Sequence, residues 1–169
     1  MTKPVTSLNK RTIDLLEQRG VSLEAIANLV VFLQKDYIQD LTLAMARDSV
    51  QAVLRKREVQ NALITGIQLD IAAEQHALLD PLQTIVERDE GLYGVDETMA
   101  LSIVDLYGSI GFTNYGYIDR VKPGILKILN AHEPGKIHTF LDDLVGAVAA
   151  AAAARLAHAD EGEQDTPFD

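Results

Sequence analysis

The sequence predicts an all-α fold: a single-domain multihelical array with an Ala-rich central helix near its C-terminal end. Three observations predict it. Apolar residues recur with helical period along nearly the whole chain, and strand-like alternation is scarce. Residues that start and stop helices punctuate the pattern at short intervals. The run from Leu144 to Ala154 is unbroken, apolar and mostly alanine, so it has no polar face to offer water. Such a helix is buried on all sides, and its small side chains let neighbouring helices approach closely.

The elements follow in order. In "SLNKRTIDLLEQRG", Leu8, Ile13, Leu15 and Leu16 belong to a helix that Gly20 ends. Ser22 is placed to N-cap "LEAIANLVVFLQKDY", with Glu24 in the first turn. Thr42 opens a long region reaching Leu79, long enough for two or three helices, with Gly66 as the expected weak point. Asp80 caps a helix whose first residue is Pro81, a favoured N1 residue. "DEGLYG", Asp89 to Gly94, reads as a turn. Short helical stretches then alternate with glycines at 94, 108, 111 and 116. "HEPGK" is a loop, and the last helix is expected from about Ile137 to Ala157. Together these make seven to nine helices in a domain of residues 1–158. Residues 159–169, an acidic stretch, are expected to be disordered.

With 169 residues, 47% hydrophobic and 24% charged, the chain can bury a core and stay soluble. The absence of cysteine excludes disulfides, zinc-thiolate sites and Cys nucleophiles. No secretory signal is read in "MTKPVTSLNKR", and no apolar run approaches the roughly 20 residues of a membrane span. A cytoplasmic location is expected. The net charge of −10 argues against a nucleic-acid partner. "RKR", Arg55 to Arg57, reads as a solvated helix face.

The chemistry lies in acids that stand where acids are unusual. Asp142 and Asp143 lead the apolar run. Successive helical residues are about 100° apart, so the two point differently. Asp142 shares its stripe with His138, Val145, Gly146 and Ala149, and Asp143 with Thr139, Gly146, Ala147 and Ala150. Both stripes are apolar beyond the acids, which puts both carboxylates at the rim of a core or inside it. One could cap the helix; two need a cation or several hydrogen bonds. "GVDETMALSIV" repeats the device, with Asp96 and Glu97 heading an apolar helix. "GYIDRVKPG" adds Asp119 and Lys122 at i and i+3, one helix face. If the three segments converge, they form a hard-oxygen site suited to Mg²⁺ rather than zinc, with the lysine as a phosphate partner.

Other chemistries lack their residues. None of the four histidines has a glutamate three residues before it, so the ferritin-like pattern is missing. Glu87 and Glu90 form a single Glu-x-x-Glu with no acidic partner motif. There is no P-loop or G-x-G-x-x-G motif. Ser102 and Ser109 have no evident His-Asp partners. His138, four residues before Asp142, reads as a hydrogen-bonded structural histidine ahead of a ligand or proton shuttle.

The ordered set "VDETMALSIV", "IDRVKPGIL" and "LDDLVGAVAAA" resembles the phosphatidylglycerophosphatase A family. That pattern is Asp-Glu heading a helix, then Asp-x-x-Lys-Pro, then Asp-Asp before a small-residue helix. The motifs cover about Val95 to Ala157. The rest of the chain, including "KREVQNALITGIQLDIAAEQ" and "YGSIGFTNYGYID", is similar to the family's soluble branch, which includes proteins named for low-temperature growth. The resemblance implies Mg²⁺-dependent removal of the terminal phosphate of phosphatidylglycerophosphate. It implies Asp96, Glu97, Asp119, Asp142 and Asp143 as the acidic, metal-binding constellation and Lys122 as phosphate partner. A lipid substrate would bring the protein to the inner face of the membrane. The chain departs from the membrane-embedded members in lacking their hydrophobic spans and their Pro-Gly-Thr-x-Gly-Ser stretch. Two other functions are open at this stage: a non-catalytic metal-binding or scaffold protein, and a soluble phosphatase for a non-lipid phosphate ester. A homodimer is expected from the frequency of symmetric oligomers.

Overall fold

The computed structural model describes residues 7–164, with side chains described through Asp160. Among these residues there are nine α-helices and no strand. They are α1 (Leu8–Gln18), α2 (Leu23–Gln34), α3 (Leu43–Leu54), α4 (Arg57–Glu74), α5 (Leu82–Arg88), α6 (Val95–Val104), α7 (Gly108–Val121), α8 (Ile125–Leu129) and α9 (Leu141–Gln164). One 3₁₀ turn, Asp105–Tyr107, joins α6 to α7.

Hydroxyl caps start the first three helices. Ser7, Ser22 and Thr42 each accept a hydrogen bond from the backbone N–H three residues on, satisfying a donor that the helix itself cannot. Gly20, at φ +82°, lets the chain leave α1 in the left-handed conformation that a side chain would resist.

The centre is α9. Every residue from Leu141 to Ala154 is buried, and α2, α3, α4, α6, α7 and α8 all pack on this helix. Alanine explains how so many neighbours fit. Its side chain loses no rotamer freedom on burial and keeps the helix narrow. Larger side chains from the surrounding helices complete the core, among them Ile26, Leu54, Leu63, Ile103 and Ile118.

Several sequence expectations move. The long central region breaks at Lys56, between α3 and α4, and not at Gly66. Arg55, Lys56 and Arg57 are exposed, but they flank that break rather than lying along one helix; Lys56 sits over the Tyr107 ring, 4.2 Å from its centroid. Gly66 is inside α4 and is a place of close approach. A methyl there would overlap Leu144 Cδ1 and come within 3.0 Å of Phe140 Cβ and 3.3 Å of Met99 Sδ. Pro81 is the N-cap of α5 rather than its first residue, while Asp80 Oδ1 accepts from the Thr84 N–H at 3.3 Å and its hydroxyl at 2.8 Å. The last helix begins at Leu141, after a turn at Thr139 and Phe140, and runs to Gln164. It therefore enters the acidic stretch; residues 165–169 of that stretch lie outside the described residues.

Candidate active site

The site forms where three helix ends meet. α6 and α9 both begin there, and α7 ends there. Asp96 and Glu97 are in the first turn of α6, and Asp142 and Asp143 in the first turn of α9. Negative charge is favoured at these positions by the helix dipole. Gly94, at φ +72°, is the N-cap of α6, so Asp96 is not the cap residue and its carboxylate is left for the site.

Lys122 ties the acids together. Its Nζ donates to Asp119 Oδ1 at 2.6 Å and to Asp142 Oδ2 at 2.9 Å, and stands 3.7 Å from Asp143 Oδ1. One ammonium is thus shared by three carboxylates. Burial alone would lower its pKa, but Asp142 and Asp119 outweigh burial and push it well above the usual lysine range. The acids are in the reverse position. Asp142 is 5%, Asp143 6% and Asp96 7% exposed. Burial raises Asp142 even though Lys122 opposes it; burial and then the Asp142 charge raise Asp143, with Asp96 and Asp119 adding to the rise. A single cation cannot offset so many buried negative charges.

Lys122 is also held in an uncommon conformation. It ends α7 at φ +51°, where glycine is the usual occupant, and Pro123 prevents the helix from continuing. Keeping a long side chain at this position costs about 1 kcal/mol of backbone strain. The ion pairs to Asp119 and Asp142 give the chain a reason to keep it.

Asp89 is a member that sequence reasoning assigned only to a turn. It ends α5 in the same left-handed conformation, at φ +50°. Burial and then the Asp96 charge raise its pKa, while His132 and Lys122 oppose the rise; Asp89 in turn raises Asp142. A non-glycine residue with positive φ beside two buried acids was the signal, and that φ is visible only in the folded chain. Glu97 is exposed, so it lies at the edge of the cluster rather than within it.

Below the cluster a second group of polar residues anchors the chain entering α9. Asp70, fully buried in α4, accepts from the Phe140 N–H at 3.0 Å and from the Leu141 N–H at 2.9 Å. It serves as an N-terminal cap supplied from another helix. Arg19 and Glu74 form a two-pronged ion pair at 3.0 and 2.6 Å, and both also grip Ile137: Arg19 donates to its carbonyl at 2.7 Å, and Glu74 accepts from its N–H at 2.9 Å. Thr139 donates its hydroxyl proton to the Val86 carbonyl at 2.6 Å. His138 belongs to this strap. Its Nδ1 is 3.3 Å from Arg19 Nη2, and burial together with the Arg19 charge lowers its pKa. It is thus tied to Arg19 in the strap.

The family model for phosphatidylglycerophosphatase A matches residues 12–158, nearly the whole of the described chain. The chain belongs to the phosphatidylglycerophosphatase A family. Its relatives in Bacillus subtilis include the uncharacterized protein YutG, 62% identical over 85% of this chain and 86% of that one. YpjQ is 53% identical over 91% of this chain and 86% of its own length. Among solved structures, the low temperature requirement C protein of Listeria monocytogenes superposes with a TM-score of 0.90 at 60% identity, covering 92% of this chain and 98% of that one. The B. subtilis ypjQ structure gives 0.89 at 51% identity, covering 93% and 97%. The fold is therefore that of these solved neighbours. Among the described residues no helix is long and apolar enough to cross a membrane.

The family implies Mg²⁺. Among the described residues no three carboxylate or imidazole groups already stand as one closed ligand set; the Lys122 ammonium lies between the acids instead. The donor chemistry nonetheless fits a hard cation. All the acids are carboxylates, and they outnumber the one lysine among them.

Proposed function

We propose that this chain is a Mg²⁺-dependent phosphomonoester hydrolase and that its substrate is phosphatidylglycerophosphate, converted to phosphatidylglycerol. The observation that carries the reading is the sharing of one lysine by Asp119, Asp142 and Asp143, with Asp96 buried and Asp89 half-buried beside them. A surplus of buried negative charge is costly in a protein that uses it only for stability. It suits a site that takes up a cation together with a phosphate.

Asp96, Asp142 and Asp143 are the residues that would hold the ion, with Asp119, Asp89 and Glu97 around them. When bound, Mg²⁺ supplies Lewis-acid neutralisation of the phosphoryl oxygens. Lys122 has three N–H donors. Two are used on Asp119 and Asp142; the third, on an ammonium 3.7 Å from Asp143 Oδ1, would donate to a phosphate oxygen. Asp119 and Asp142 hold the ammonium in place for that contact. An ionised carboxylate of the cluster would orient the attacking water and accept its proton. The ester bond then breaks in line, releasing phosphate and the alcohol.

The test is phosphate release from phosphatidylglycerophosphate in mixed micelles, and from water-soluble phosphomonoesters, with Mg²⁺ and with excess chelator. The expected result is metal-dependent release that is fastest with the lipid. Equal or faster turnover of the soluble esters would place the substrate outside the lipids. No release from any ester, in a protein that still binds Mg²⁺, would replace the hydrolase reading with that of a metal-binding scaffold.

A further inference from the structure

The phosphate that the acidic cluster is proposed to receive must be met by hydrogen-bond donors, and ionised carboxylates have none. Lys122 offers its third N–H. A second donor lies beneath the cluster. Tyr115 is 6% exposed, and among the described residues its hydroxyl has no hydrogen-bond partner. A buried hydroxyl without an acceptor is uncommon, because leaving it unmade costs stability that a phenylalanine of the same shape would avoid.

Its position explains what it faces. Tyr115 is four residues before Asp119 on the same face of α7. Its ring packs at Gly146 of α9, one turn beyond Asp142 and Asp143; a methyl at Gly146 would stand 3.8 Å from Tyr115 Cε2. Burial first, and then the charges of Asp143, Asp119, Glu97 and Asp142, oppose the loss of its proton. The phenol is therefore on the side of α7 that faces the acids of the site.

We propose that the Tyr115 hydroxyl is a ligand-facing donor of this site, holding an oxygen of the bound phosphate group opposite Lys122. The proposal rests on the reading of the site as a phosphate site, and it assigns a substrate contact to a residue outside the acidic motifs. A neutral donor has a specific advantage here. It binds a phosphate oxygen without adding a cation that would compete with Lys122 or Mg²⁺ for the carboxylates.

The experiment compares the full chain with Tyr115→Phe. Binding of inorganic phosphate in the presence of Mg²⁺, and of Mg²⁺ alone, is measured by calorimetry, and the ligand-free unfolding midpoint by thermal melting. The expected result is phosphate affinity lowered about tenfold, Mg²⁺ affinity unchanged, and a melting midpoint that is equal or higher. Unchanged phosphate affinity in Tyr115→Phe overturns the proposal, as does a wild-type protein that binds no phosphate. A lowered midpoint with equal losses of phosphate and Mg²⁺ affinity also overturns it, because the hydroxyl is then structural. Wild-type protein that binds phosphate but hydrolyses no ester ends the hydrolase reading alone; the Tyr115 assignment is still decided by the difference between the two proteins.

Discussion

Asp70 and Asp143 are both buried acids at the same end of α9, and their surroundings are opposite. Asp70 meets two backbone N–H groups, and its neighbour one turn away, Glu74, is matched by Arg19. Asp143 meets other carboxylates and a lysine 3.7 Å away that is already committed to two of them. The first arrangement has its hydrogen-bond donors within the chain. The second is short of positive charge and of donors. Burial is common to both, so burial does not separate a structural acid from a functional one. The separating quantity is whether the protein supplies the partners.

That contrast can be broken by exchanging the consequences of substitution. Asp143→Asn removes a charge from a crowded cluster. Ester hydrolysis is expected to fall by roughly 10²-fold or more, and Asp96→Asn to act similarly, with melting midpoints unchanged or raised. Asp70→Ala leaves the Phe140 and Leu141 N–H groups buried without an acceptor, which costs about 2–4 kcal/mol. Urea unfolding and an activity assay on the same preparations give both readouts. Full activity in Asp143→Asn, or a stability loss there as large as in Asp70→Ala, would remove the distinction.

The contact of α4 with α9 beneath the site gives a sharper version. Gly66 lies one turn before Asp70, against Phe140 and Leu144. Gly66→Ala makes the buried Leu144 side chain shift and crowds Phe140, and is expected to destabilise by about 1–3 kcal/mol. The Asp70 cap spans the same gap, so Gly66→Ala and Asp70→Ala should combine non-additively in a double-mutant cycle. Additive effects would mean that the cap and the close approach are independent.

How much of this could be read beforehand follows from where the partners lie. Asp142, Asp143, Asp96 and Glu97 were legible because each pair interrupts an otherwise apolar helix at its head, a contradiction visible within ten residues. The Asp119–Lys122 pair was legible from helical spacing. The central burial of α9 followed from its alanines. Asp70 was not legible, because in "GIQLDIAAE" a single acid is ordinary, and its partners are backbone groups some 70 residues away. Gly66 was misread as a weak point because an interior glycine lowers helix propensity; the Leu144 side chain that requires it belongs to another helix. Asp89 looked like one residue of a loop, and Tyr115 like one of several tyrosines. In each case the missing information is a contact between segments far apart in sequence.

The smallest expected effect concerns pH, and here two acids of the same strap have opposite signs. Burial would raise Glu74, but Arg19 and the Ile137 N–H outweigh it and hold its pKa below the ordinary 4.5. Its contribution is present above 4.5 and is lost as pH falls through the lower folded value. Asp70 is raised to about 8 by burial, against the opposing N–H groups of Phe140 and Leu141 and the Arg19 charge. Its contribution is fully present below the ordinary 3.8 and is lost as pH rises toward about 8. Urea midpoints measured across pH 3–9 should therefore lose part of their acid-side fall in Glu74→Gln and part of their neutral-side fall in Asp70→Asn. A Glu74→Gln protein whose acid limb matches the wild type would show that the Arg19–Glu74 clamp holds the approach to α9 by shape, without the charge.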